Sequence, residues 1–343
     1  MRIYTEIVPD PDGKIMTVDY LKGFSIFTIA LMHLLGHISA LPSIINTLAA
    51  VGGTGVHVFF LCSGVGLYLS YLKCNTTFFA FLKKRFFKIY IPYIIVILFA
   101  FFVPWLYYGE SRVTALLSHV FLFKMFSPMY ESSFSETFWF VSTIFQLYAL
   151  FIPMCWVRSK LKNGKLFALL FTGLSVMWWL LCYYLNIGSV RIWGSFCLQY
   201  IWEFALGFLL AEAFYYQKQY KLNNFVLLAF AVLGIGLQAA AALYLDALKS
   251  FNDIPALVGY MSLALLFSNI PIVRKLCDWL SRFSYEFYLV HDILFVIAFQ
   301  LLKPRGLMVQ CFVAIAAMVI AFVVAYFYSR IIKMVSARIK KSC

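Results

Sequence analysis

Charged side chains are scarce in this sequence, and their scarcity excludes two large classes of protein. Only 12% of the 343 residues are charged, whereas 64% are apolar and 20% aromatic, with a mean hydropathy of +0.88. Soluble domains average about 45–50% apolar and about 25% charged residues. A disordered chain needs low hydrophobicity and high charge. The composition therefore indicates a multi-pass membrane protein.

The cysteines lack the spacing of a metal site or of a disulfide framework. Eight are present, but no C-x-x-C pair occurs and none lies in a predicted outer loop. We therefore predict no disulfide framework and no metal. His33 and His37 are four residues apart, a spacing that can ligate a metal, but no third or fourth ligand is evident in the sequence.

Long uncharged stretches recur along the whole chain. A helix of about 20 apolar residues crosses roughly 30 Å of hydrocarbon. Residues 23–72 contain no Asp, Glu, Lys or Arg, and Pro42 with the glycines at 52, 53 and 55 divides them into two helices. With eight further spans, the sequence predicts an all-α integral membrane protein, a bundle of about ten transmembrane helices. The further spans are 89–109, 137–157, 166–190, 192–217, 222–245, 254–273, 283–302 and 306–329.

The basic residues indicate the orientation of this bundle. There are 28 Lys and Arg against 14 Asp and Glu, a formal charge of +14. If the N-terminus is cytoplasmic, most of the cations fall in inner loops, as the positive-inside rule requires. We therefore expect both termini in the cytoplasm and no nucleic-acid partner. The expected organisation is a short N-terminal segment (1–18), one membrane domain (19–331) and a basic cytoplasmic tail (332–343).

Several ionisable or polar side chains lie deep within predicted spans, where they are energetically costly and mark candidate functional sites. At 1.5 Å per residue, His33 and Glu203 each lie about 16 Å into their spans. His291 and Asp292 lie about 12 and 14 Å deep, and Gln146 about 14 Å from the other face. Similar depths predict a shared polar centre around a reaction or transport cavity. A network that only fixes helix packing is the alternative.

A basic segment precedes the span that begins at residue 89. Residues 81–93 read FLKKRFFKIYIPY, with cations at positions 83, 84, 85 and 88. This density of positive charge exceeds what is needed to orient a helix in the membrane. It suits an anionic, phosphate-bearing ligand on the cytoplasmic side. An interfacial anchor with Tyr and Pro is the other interpretation.

Segments in this order resemble acyltransferase family 3, a family of polytopic membrane O-acyltransferases. Lys22 and His33 are similar to the family's basic residue followed, after ten positions, by a histidine. Residues 55–64 are similar to its aromatic-rich segment that ends in Ser-Gly. Residues 85–93 are similar to the basic pair at its third helix, and residues 284–291 to its Ser-Tyr…Tyr-Leu…His segment.

Two positions depart from the family pattern. His57 stands where the family often has an acidic residue. The basic pair of the family is commonly Arg-Arg, whereas this chain has Arg85 and Lys88. Lysine keeps the charge but lacks the planar fork that binds phosphate through two hydrogen bonds.

The resemblance implies transfer of an acyl group, usually acetyl from acetyl-CoA, to a hydroxyl of an extracytoplasmic glycan or lipid-linked sugar. The expected location is the cell membrane, the inner membrane of a bacterium. No bound cofactor is expected, since acetyl-CoA is the acyl-donor substrate. We expect Lys22, Arg85 and Lys88 to hold the phosphates of CoA.

The predicted catalytic residues are His33, His291, Asp292 and Glu203. We expect His33 to act as general base on the acceptor hydroxyl, because imidazole exchanges protons readily near neutral pH. Asp292 or Glu203 would orient a histidine and stabilise its cation. A transient acyl-histidine stays open as an alternative to direct transfer.

Two other classes of function compete with an enzyme. The main alternative is a polysaccharide exporter or proton-coupled secondary transporter, because midplane ionisable residues also mark proton-coupled transport. We find no matching pair of broken helices in the two halves, the pattern that would favour it. A membrane sensor or scaffold would leave the basic segment and the spacing from Lys22 to His33 without a purpose.

Overall fold

A computed structural model describes residues 3–9, 15–107, 109, 111–188, 190–244 and 251–342. Parts of the predicted terminal segments, residues 1, 2, 10–14 and 343, lie outside this range, as do residues 245–250. The described residues are predominantly helical. The helices are α1 (Met16–Gly36), α2 (Ser43–Ala50), α3 (Gly55–Lys73), α4 (Phe78–Arg85), α5 (Ile91–Phe101), α6 (Arg112–Val120), α7 (Trp139–Lys160), α8 (Gly164–Tyr184), α9 (Arg191–Gly194), α10 (Cys197–Tyr215), α11 (Asn224–Tyr244), α12 (Asp253–Phe267), α13 (Pro271–Leu280), α14 (Ser284–Leu302) and α15 (Leu307–Ser342).

The prediction of an all-α membrane protein is confirmed. Within the described part of the chain, eight helical segments are long and apolar enough to cross a membrane. The two remaining predicted spans correspond to shorter helices, α5 and α12. The orientation with cytoplasmic termini stays a prediction. The eight segments are Met16–Gly36, Ser43–Lys73, Glu136–Lys160, Gly164–Tyr184, Arg191–Tyr215, Asn224–Ala241, Pro271–Leu302 and Leu307–Val335.

The chain divides into two compact units, each built from separate stretches of sequence. The first unit contains residues 1–27, 53–77 and 143–282. The second contains residues 28–52, 78–142 and 283–343. Helices α1 and α7 therefore each contribute residues to both units.

Two glycines let α3 and α10 pack closely in the first unit. A Cβ atom on Gly64 would overlap the carbonyl oxygen of Phe204, and one on Gly207 would approach the carbonyl oxygen of Leu61. Between helices in lipid there is little hydrophobic driving force, so close packing at small residues supplies much of the attraction. These glycines are therefore required by the backbone approach of the two helices.

The first unit also holds the only sheet among the described residues. Strand β1 (Tyr4–Ile7) pairs antiparallel with β2 (Tyr220–Asn223), with Tyr4 opposite Asn223 and Ile7 opposite Tyr220. This pairing requires the N-terminal segment and the turn before α11 to lie on the same side of the membrane. The sequence analysis assigns both to the cytoplasmic side.

Helices α14 and α15 pack against each other in the second unit. Phe287 stacks on Phe322 with ring centroids 4.7 Å apart. Buried alanines recur along α15 at 314, 317, 321 and 325, and this spacing of three or four residues forms one face of a helix. Without a break, α15 continues through residues 332–342, the region predicted as a tail.

A π-helical turn, Phe86–Tyr90, joins α4 to α5 in the second unit. Pro92 lacks an N–H, and its ring would clash with the carbonyl four residues earlier in a regular helix, so the wider turn relieves this conflict. Side chains complete the hydrogen bonding. The hydroxyl of Tyr285 donates to the carbonyl of Ile89 at 2.8 Å, and that of Tyr328 donates to the carbonyl of Pro92 at 2.6 Å.

We predict that Gly64→Ala destabilises the protein by about 1–3 kcal/mol, because the added methyl group forces α3 away from α10. Gly66→Ala is the matched control, since Gly66 lies on the same helix and a Cβ there meets no atom within 4 Å. Thermal unfolding of the purified protein in detergent measures both effects. Equal stability of the two variants would contradict the packing argument.

Candidate active site

Two of the predicted histidines come together in the second unit. His33, near the end of α1, and His291, on α14, have ring centroids 5.5 Å apart, with their planes inclined by 49°. His33 is partly exposed, whereas His291 is completely buried. His33 is therefore the member of this pair that a substrate can reach directly.

The backbone of α14 determines the tautomer of His291. Its Nδ1 lies 2.9 Å from the carbonyl oxygen of Tyr288 and 3.1 Å from that of Phe287. A carbonyl only accepts, so Nδ1 carries the proton and Nε2 of the neutral ring keeps its lone pair. Among the described residues, no group hydrogen-bonds to this buried Nε2 atom. His291 thus offers an unoccupied proton acceptor close to His33.

Asp292 follows His291, accepts a hydrogen bond from one side chain and lies near a second. The hydroxyl of Ser135 donates to Oδ2 of Asp292 at 2.6 Å. Nε2 of His37, one helical turn after His33, lies 3.8 Å from Oδ1, and the His37 ring stacks on Phe299 at 5.5 Å. The cluster of His33, His37, His291 and Asp292 therefore combines three imidazoles with one hydrogen-bonded carboxylate.

A loop with a buried cation places Ser135 on Asp292. Lys124 is completely buried, and its ammonium donates to the carbonyls of Ser133 and Ser135 at 3.1 and 3.0 Å. The backbone N–H of Thr137 in turn donates to the Ser135 hydroxyl oxygen at 3.1 Å. These contacts fix the backbone on both sides of the hydroxyl group that reaches the carboxylate.

His119 supports the same loop and is buried, although its position between spans suggests a surface residue. Ser133 donates its hydroxyl to the carbonyl of Tyr130, so it accepts from Nε2 of His119 at 2.8 Å. Nδ1 of His119 is then the acceptor for the hydroxyl of Tyr93 at 2.5 Å. Burial, reinforced by the charge of Lys124, holds the pKa of His119 well below its usual value.

The predicted donor-binding residues fall in both units. Arg85 ends α4, with its guanidinium over the ring of Phe81 at 5.4 Å, and Lys88 is an exposed residue of the π-helical turn. Tyr285 connects this turn to α14, the helix that carries His291. Lys22 lies on α1 in the first unit, so its proximity to Arg85 and Lys88 stays a prediction.

Glu203 and Gln146 belong to the first unit, and each has a partner there. Oε1 of Glu203 lies 2.5 Å from Nδ1 of His57, while Oε1 of Gln146 accepts from the backbone N–H of Cys197 at 3.1 Å. A polar centre that unites them with His33 therefore stays a prediction. The described contacts define two separate clusters, each within its own unit.

Sequence reasoning missed the contributions of Ser135 and His37 to the cluster. His37 carries a signal, since its spacing from His33 places both on one helix face. Ser135 carries none, because its contact with Asp292 joins residues 157 positions apart. A metal bound by His33 and His37 gains no support, since the described residues that could hold an ion together are others: His57, Glu203 and Asp253.

The family expected from the sequence is confirmed. Residues 17–326, nearly the whole chain, match the acyltransferase domain of acyltransferase family 3, and the chain belongs to this family. It is thus a multi-pass membrane protein and an O-acyltransferase, which disfavours the exporter, transporter and scaffold interpretations. No curated protein and no solved structure matches the chain significantly.

We predict that His119 makes the stability of the protein sensitive to acid. Its pKa is lower in the folded state than the unfolded value of about 6.5. Its contribution is therefore complete above that pH and is lost as the pH falls below it, by at most about 1.4 kcal/mol per pH unit.

Thermal unfolding of the wild type and of His119→Gln between pH 7.5 and 5 tests this prediction. The wild type should lose more stability over this range than the variant, since all other titrating groups are common to both. Parallel curves would show that His119 does not cause the acid sensitivity.

Proposed function

We propose that the protein transfers an acetyl group from cytoplasmic acetyl-CoA to a hydroxyl of an extracytoplasmic glycan or lipid-linked sugar, in the inner membrane of a bacterium. The observation that carries this proposal is the position of His33, partly exposed and 5.5 Å from the buried ring of His291. Both family membership and this cluster support an acyl transfer within the membrane.

In this proposal His33 is the general base. It takes the proton of the acceptor hydroxyl while the hydroxyl oxygen attacks the thioester carbonyl carbon. When the C–S bond breaks, the thiolate of CoA leaves and recovers the proton from His33. The products are the acetyl ester and free CoA, so no further reactant is needed.

Positioning residues assist His33. Of the two carboxylates predicted for this role, we assign it to Asp292, which belongs to the same unit and is held by Ser135 at 2.6 Å. A negative charge stabilises the imidazolium that forms during transfer. His291 stays neutral, with its Nδ1 proton committed to backbone carbonyls, and its free Nε2 lone pair adds a further acceptor near His33.

For the donor, we propose that Arg85 and Lys88 bind the phosphates of CoA, together with Lys22. The π-helical turn is hydrogen-bonded to α14 through Tyr285. Tyr285 precedes His291 by six residues, about 9 Å along a helix axis. A thioester arm that starts at the basic segment and follows α14 would thus approach the histidine cluster.

We predict that wild-type protein binds acetyl-CoA and that Arg85→Ala weakens this binding about tenfold or more, since a charge-assisted hydrogen bond to phosphate is lost. Lys165→Ala is the matched control, because it removes an exposed cation from a different loop. His33→Ala should bind acetyl-CoA like the wild type, as its imidazole acts on the acceptor. Isothermal titration of the detergent-purified proteins measures all four affinities.

Absence of binding of both acetyl-CoA and CoA to the wild type would overturn the assignment of the donor. Equal losses in Arg85→Ala and Lys165→Ala would indicate a nonspecific effect of charge and refute the proposed phosphate site. If His33→Ala alone abolished binding, His33 would belong to the donor site and not act as the base.

A further inference from the structure

A second cluster of ionisable side chains lies in the first unit, and none of its members has a role in the proposed transfer. His57 on α3, Glu203 on α10 and Asp253 at the start of α12 have exposed fractions of 9%, 0% and 8%. One potential ligand atom from each residue lies within 4.8 Å of the others. Three helices thus bring one imidazole and two carboxylates together in a largely buried position.

Glu203 orients His57. An ionised Glu203 only accepts hydrogen bonds, so with Glu203 ionised the 2.5 Å contact places the proton on Nδ1 of His57 and leaves the lone pair on Nε2. That atom lies 3.9 Å from Oδ1 of Asp253. Metal-binding histidines commonly show this arrangement, with one nitrogen donating to a carboxylate and the other facing the ion.

A buried carboxylate oxygen of Glu203 lacks a hydrogen-bond donor, which points to a missing positive charge. Oε2 of Glu203 is buried, and no described residue hydrogen-bonds to it. A buried oxygen without a partner is energetically costly, and a cation would satisfy it.

Charge balance and bond lengths favour a divalent ion. When both carboxylates are ionised on binding the ion, they carry two negative charges beside a neutral imidazole, and one divalent cation neutralises them. Bonds of about 2.0–2.2 Å to nitrogen and oxygen allow one ion to bridge atoms 3.9 Å apart. Gln199 donates to the other oxygen of Asp253 at 2.8 Å and holds the carboxylate in place.

We propose that His57, Glu203 and Asp253 bind one divalent transition-metal cation of the Zn²⁺ or Mn²⁺ type. The imidazole ligand favours such ions over Mg²⁺ and Ca²⁺, which prefer sites made of oxygen alone. The prediction of no metal from the sequence considers ligands at short spacing along the chain. These three residues are far apart in the sequence and meet only in the fold. The ion would join α3, α10 and α12.

The test uses the full chain, freed of any affinity tag and purified in detergent. After exposure to Zn²⁺, Mn²⁺ or Mg²⁺ and removal of free ions, mass spectrometry measures bound metal per chain, and competition with a chelator gives the affinity. We expect one Zn²⁺ or Mn²⁺ per wild-type chain and no retained Mg²⁺. Binding should also raise the unfolding temperature, since the ion binds the folded state.

Asp253→Asn should weaken Zn²⁺ binding about 10- to 100-fold, as changes at metal sites commonly do. Asp278→Asn is the matched control, because it makes the same substitution in the same unit at a carboxylate 3.9 Å from Arg274. Equal affinities of Asp253→Asn and the wild type would overturn the proposal, as would equal losses in the two variants.

A measurement on the wild type alone covers the case in which Asp253→Asn fails to fold. Co²⁺ bound by one imidazole and two carboxylates gives visible absorption that titrates to one equivalent and disappears on addition of Zn²⁺. Absence of this signal, together with no retained Zn²⁺ or Mn²⁺, would refute the metal site. It would show that protons, and not a metal ion, neutralise the carboxylates of the cluster. Acetyl-CoA binding does not enter these measurements, so their failure leaves the proposed function unaffected.

Discussion

A buried charge in a membrane protein needs a partner within the protein, because hydrocarbon supplies none. The carboxylates of the two clusters follow this constraint. Asp292 accepts the hydroxyl of Ser135, Glu203 contacts His57, and Asp253 accepts the side-chain amide of Gln199. These contacts form two polar clusters among the described residues, each within one compact unit.

The segment before α7 illustrates how a loop serves a site within the membrane domain. Lys124 and His119 are both completely buried. Each bonds to Ser133, so buried polar groups of the loop hold its backbone in place. The result is a defined position for Ser135, whose hydroxyl fixes the carboxylate of Asp292. Precise placement of this charge is what a general base needs from its surroundings.

Much of the fold could be predicted because hydrophobic length and the breaks between spans are local properties of the sequence. The predicted depths of His33 and His291 within their helices agree with the contact between their rings. The contact of Ser135 with Asp292 could not be predicted, since it depends on how a loop folds back. Equal depth also could not distinguish Glu203, which pairs with His57, from residues of the other cluster. The depth of a residue specifies its level in the bilayer but does not specify which other residues it contacts.

The central claim is that His33 removes the proton of the acceptor within the membrane. Inverted membrane vesicles from cells that express the protein contain its native acceptor, and acetyl-CoA labelled in the acetyl group can be supplied to their outer, originally cytoplasmic face. We expect label in the lumenal glycan or lipid-linked sugar of wild-type vesicles and a rate about 10²- to 10⁴-fold lower with His33→Ala at equal expression. Transfer by His33→Ala at the wild-type rate would contradict the account.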